Sequence, residues 1–193
     1  MNAYYLVASL PALALGDPPP FSRAEMPARC ANMLSEAEQI ELQLLLEGRE
    51  GECTSGFVRR WHRADTQMRN AVARIRAGKL QMDAGLYLRD HEGFDVSLEK
   101  AVTDAYARPN PMERELALDR CRWHLLDGLI LEEPFAFSAV LAWAVKLRLA
   151  ERWAGLKDET GRKAFETWVE AAAKAGIQDE ALKNGTDSAG GKP

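Results

Sequence analysis

Apolar side chains recur along this chain at helical spacing. The clearest run is Phe57, Trp61, Ala64, Met68, Ala71 and Ile75, where alternating steps of four and three residues put all six on one narrow stripe. That stripe predicts a long helix ending at Gly78 and packed lengthwise on another long helix, which the pattern places at about Phe135 to Ala154. This second segment is apolar on two sides, with Phe137, Val140, Ala144 and Leu147 on one and Leu141, Val145, Leu149 and Trp153 on the other, as for a helix sandwiched between neighbours. Upstream, Ser22 with Glu25 and Ser35 with Glu38 have capping-box spacing. The first of these helices is shortened by Pro27; the second turns Ala37, Ile40, Leu44 and Leu45 to one side and closes at Gly48. Leu98, Ala101, Val102, Ala105 and Tyr106 predict a short amphipathic helix stopped by Pro109. Asn110-Pro111-Met112-Glu113 then starts a helix running to about Asp127, and a last helix is expected from Asp158 or Thr160 through Trp168 to Ala175.

No segment alternates convincingly except Tyr4 to Leu10, and Leu80 to Gly93 is ambiguous between helix and turn. The expected fold is all-α, an orthogonal or bundle-like array of helices with a docked, extended N-terminal segment. It reads as one helical domain over residues 1–183, with hinges near 48–55 and 85–95 and a disordered tail over 184–193.

Composition changes this picture little. A chain of 193 residues, 47% hydrophobic and 28% charged, suffices for a substantial core. Its net charge of −4 gives no overall drive towards nucleic acid or anionic lipid. Cys30, Cys53 and Cys121 are odd in number and scattered, which fits a reducing cytoplasm rather than a disulfide framework. The start is apolar but carries no preceding Lys or Arg and is broken by Pro11, so docking is expected in place of secretion.

Candidate chemistry is sparse. His62, His91 and His124 lack metal-ligand spacing, no glycine-rich phosphate loop precedes a helix, and no catalytic, metal or cofactor set is expected. Arg59, Arg60, Arg63, Arg69, Arg74, Arg76 and Lys79 accompany a single acid, Asp65, on the long helix. Their first reading is a solvated or ion-paired face meeting the acid-rich segment from Glu36 to Glu52, ahead of a protein interface and, last, an RNA-binding surface. Asp119 falls between Leu116 and Trp123 on an apolar face, where an ionised carboxylate needs a cation; Lys146, Arg148 and Arg152 on the following long helix are the candidates.

The opening Tyr4-Tyr5-Leu6-Val7-Ala8-Ser9-Leu10-Pro11, Pro18-Pro19-Pro20 with Phe21-Ser22, Arg69-Asn70 with Arg76-Ala77, and Asn110-Pro111 with Glu113 and Glu115 form one group of motifs. Arg122-Trp123, Leu141-Ala142-Trp143, Lys146-Leu147 and Arg152-Trp153 continue it. Together they resemble an uncharacterised bacterial family of unknown function found with the subunits of V-type (A-type-like) ATPases, over about residues 1–170. The resemblance implies a counterpart of the all-helical, funnel-shaped central-stalk adaptor that joins the rotor shaft to the membrane ring, although this chain is much shorter than that three-subdomain protein. The implied role is a non-enzymatic, cytoplasmic adaptor or assembly subunit, peripheral at the inner membrane through the ATPase. Its partners would be central-stalk or membrane-ring subunits, with no cofactor, no nucleic acid and membrane contact only through partners. Interface candidates are Tyr4, Tyr5, Arg59, Arg60, Arg63, Arg74 and Trp143. The alternatives are a small helical enzyme or ligand-binding protein, and an RNA-binding protein acting through residues 57–79.

Overall fold

A computed structural model describes residues 3–156 and 167–169. Residues up to Trp153 form one compact unit; those from Ala154 onward belong to a second, in which the expected last helix and the tail at 184–193 lie almost wholly outside the described residues. Among the described residues the fold is all-α. The helices are α1 (Tyr4–Ser9), α2 (Met26–Cys30), α3 (Glu36–Leu46), α4 (Gly56–Leu80), α5 (Val96–Tyr106), α6 (Pro111–Leu129) and α7 (Phe137–Gly155), with single 3-10 turns at Glu50–Glu52 and Gly85–Tyr87.

Local chemistry accounts for most boundaries. Ser35 and Glu38 form the full capping box of α3, and Gly48, at φ +79°, takes the left-handed turn that follows the helix. The N-cap Ser55 of α4 makes no side-chain cap bond. Glu41 on α3 instead fixes the chain leading into α4, its Oε1 accepting from the Thr54 and Ser55 amides at 2.5 and 3.2 Å. Asn110 Oδ1 accepts from the Met112 amide at 2.8 Å and Pro111 occupies the first turn of α6, as the sequence signal indicates.

Several expectations are corrected. The N-terminal segment is docked, with Ala3 and Leu6 buried, but Tyr4–Ser9 is a helix rather than an extended strand; it closes at Leu10, where the backbone becomes extended. Ser22 and Glu25 do bond, yet the chain there makes a turn, and α2 begins only at Met26 with Pro27 in its first turn, where a missing N–H is harmless. On α3 the buried side chains are Leu42, Leu45 and Leu46, while Ile40 is exposed. The stretch from Gln81 to Asp95 is a loop, and α4 runs past Gly78 to Leu80.

The largest correction concerns the stripe on α4, which does not lie along α7. Its N-terminal part, Phe57 and Trp61, enters with the neighbouring Val58 a core shared with Leu42, Leu45, Leu126 and the α7 residues Val140, Leu141, Ala144 and Leu147. Its central part, Met68 and Ala71, enters a second core with Leu98, Val102 and Ala105 of α5 and Leu118 of α6. One helix therefore spans two cores, and its adjacent face, with Asp65, Arg69, Val72 and Arg76, lines a cleft.

Candidate functional site

The cleft lies among α4, α6 and α7 and encloses about 730 Å³. From α4 come Trp61, Asp65, Arg69, Val72 and Arg76, from α6 Glu115, Leu118, Asp119 and Arg122, and from α7 Val145, Arg148, Leu149 and Arg152. Their spacings of three, four and seven residues follow from helices each presenting one side.

At the floor is a bonded chain of charges. Arg122 donates from Nε to Asp65 Oδ1 and from Nη1 to Asp119 Oδ1, each at 2.8 Å. Arg69 Nε reaches Asp65 Oδ2 at 2.6 Å. Asp119 is fully buried, and its Oδ2 accepts from Arg152 Nη1 at 3.0 Å and from the Trp153 indole at 2.8 Å. Arg152 Nη2 then bonds Glu115 at 2.8 Å, while Arg76 Nη2 stays 3.8 Å from the other Glu115 oxygen. Burial alone would raise the Asp65 carboxyl, but the Arg122 and Arg69 guanidinium groups outweigh it and hold the carboxyl below its ordinary value. The same pairing outweighs the burial that would lower Arg122 and raises it instead.

Of the three cations considered for Asp119, Arg152 makes the contact. Lys146 instead reaches Asp127 at 2.5 Å and lies over the Trp123 ring, and Arg148 bonds Glu50 at 2.6 Å and the Leu45 carbonyl at 2.7 Å. Arg122 is a further partner of Asp119 that the sequence reading does not include, although the i, i+3 spacing of the two is a local signal for it.

The basic face of α4 is largely paired within the molecule, but not with the segment from Glu36 to Glu52. Arg63 pairs with Glu92, Arg74 with Glu99 at 3.1 Å, and Arg59 donates to the Thr54 carbonyl; Arg60 is exposed. Trp143 donates to the Pro11 carbonyl at 2.9 Å and stacks on Phe21, so its indole N–H and one ring face are engaged inside the chain. Tyr4 packs on Phe135 with ring centres 4.8 Å apart, and Tyr5 is 80% exposed.

A second feature lies beside the cleft. The loop between α4 and α5 carries Leu86, Tyr87, Leu88 and Phe94, with Leu80, Met82 and Val96 at its ends, and all are exposed, Leu86 at 84% and Phe94 at 65%. The loop is nevertheless tied down by two buried amides one turn apart on α4. Asn70 Nδ2 donates to the Arg89 carbonyl at 2.7 Å, and its Oδ1 accepts from the Arg89 N–H at 3.0 Å. Gln67 Nε2 donates to the Asp95 carbonyl at 2.7 Å, and its Oε1 accepts from the Asp95 N–H at 2.9 Å. The only sequence signal for this anchor is a pair of uncharged amides flanking the core positions Met68 and Ala71. Replacing Asn70 with leucine, which is similar in size, strands both Arg89 backbone groups and is expected to cost about 1–3 kcal/mol. Amide exchange in residues 81–95 should accelerate with it; exchange unchanged from the parent protein would show that Asn70 does not hold the loop.

Among the described residues no group of His, Cys, Asp and Glu is arranged to hold a metal ion, and no helix is long and apolar enough to cross a membrane. No curated protein and no solved structure matches the chain. Residues 96–176, a span that takes in α5, α6 and α7 with Asp119, Arg122 and Arg152, match the model of a family described as a protein of unknown function (DUF2764).

Proposed function

We propose that this chain is a non-enzymatic helical adaptor whose docking element is the loop between α4 and α5. The observation that carries this reading is the combination in one segment of exposed large apolar side chains with a backbone held by Gln67 and Asn70. Apolar groups so displayed are unfavourable in water and favour a partner surface. A loop already fixed in place loses less conformational entropy on binding. The loop carries Asp83, Asp90, Glu92 and Asp95 against Arg89, and of these acids Glu92 is already paired with Arg63, so the surface best matched to the loop is apolar with a basic rim. The resemblance of the opening and of the α6 and α7 motifs supports a helical stalk or ring component of a bacterial V-type ATPase as that partner.

Co-expression with the stalk and ring subunits of a V-type ATPase tests the proposal. The chain should co-purify with one of them through size-exclusion chromatography, and the double variant Leu86→Ser, Phe94→Ser should be released while melting as the parent does. Failure to co-purify with any of these subunits would remove the ATPase assignment. Retention of the double variant would move the docking surface away from the loop.

A further inference from the structure

We propose that the cleft among α4, α6 and α7 binds an organic anion, a carboxylate or phosphate head group carried on an apolar body. Its volume of about 730 Å³ lies within the range of small-molecule sites. Val72, Leu118, Val145 and Leu149 provide an apolar wall, and arginines outnumber carboxylates in the lining by six to four. A cation would meet that positive surplus unfavourably, whereas an anion relieves it.

The head group is assigned to Arg69 and Arg76, on the same side of α4. Asp65 engages only the Nε–H of Arg69, whose side chain is 63% exposed. Arg76 gives its Nε–H to the Tyr106 hydroxyl at 2.7 Å and stands beyond hydrogen-bonding distance of Glu115. Each guanidinium thus keeps Nη donors for a ligand while one bond fixes its orientation, which is the arrangement that favours charge-assisted, two-point recognition of a carboxylate or phosphate. Asp65 holds Arg69, and the Tyr106 hydroxyl holds Arg76, in place before any ligand arrives.

Decanoate and decyl phosphate, below their micellar concentrations, are suitable probes, with decanamide as the neutral control. In titration calorimetry the anions should bind the full chain at least about tenfold more tightly than decanamide. Arg76→Gln alone, and more strongly Arg69→Gln with Arg76→Gln, should weaken the anions by about tenfold or more without changing decanamide binding. Ala73→Phe, which places a ring in the cleft, should weaken all three. The loop variant Leu86→Ser, Phe94→Ser should leave anion binding intact, which separates this site from the docking proposal. A preference between the two anions identifies the head group. Equal affinity for decanamide, undiminished anion binding by Arg76→Gln, or no binding of either anion at about 1 mM would overturn the proposal.

Discussion

Replacing Asp119 with alanine is expected to destabilise the protein by roughly 3–5 kcal/mol, because it removes one member of a buried ionic network and strands the others. Asp119 is the acceptor for two guanidinium groups and an indole N–H. Without it Arg122, itself only 14% exposed at the side chain, keeps Asp65 as its one remaining carboxylate. Trp153 loses its acceptor altogether. For a domain of ordinary stability, about 5–15 kcal/mol, such a loss is a large fraction of the whole. Denaturant unfolding of Asp119→Ala and Asp119→Asn measures it. The asparagine variant retains a carbonyl acceptor and should lose less, and a loss below about 1 kcal/mol for alanine would place the carboxylate in a solvated setting.

The second large effect is at Met68, which has no exposed surface and packs in the core formed with Leu98, Val102, Ala105 and Leu118. Met68→Ala should cost roughly 2–5 kcal/mol through lost burial and the cavity left behind. Met68→Asp places a carboxylate with no cation partner in that core and should abolish cooperative unfolding. Ile40→Asp is the matching surface change, since Ile40 is 55% exposed, and should shift stability by no more than about 0.5 kcal/mol. A cooperative melt for Met68→Asp, or a collapse for Ile40→Asp, would contradict the assignment of these faces.

Ile40 also marks how far periodicity reaches. Spacing identifies which residues share a helix face, but on α3 two faces are apolar enough to compete, and packing with the preceding α2 and with α7, distant in sequence, chooses between them. The α4 stripe shows the same limit. Its side chains do share a face, yet which helix covers each part depends on the paths of α5, α6 and α7 across it. Signals that are local in chemistry transfer well: the Ser35–Glu38 box, the Asn110–Pro111 start, and the need of Asp119 for a basic partner. At Tyr4–Ser9 the expected strand gives way to a helix because aromatic and β-branched residues favour strands only weakly, and here the burial of Leu6 rewards a helical turn. The anchoring of the loop by Gln67 and Asn70 and the cleft itself have no local signature, since each arises from residues brought together by the fold.

The way the two amides hold the loop bears on how its surface can evolve. Gln67 and Asn70 grip the N–H and C=O of Asp95 and Arg89, groups that almost every amino acid possesses, and neither amide touches the side chains displayed at Leu86, Tyr87 or Phe94 through these bonds. Side-chain display and backbone anchoring are thereby independent. Substitutions at Leu86, Tyr87 or Phe94 leave the frame intact, whereas a change at either amide alters the frame for whatever the loop displays.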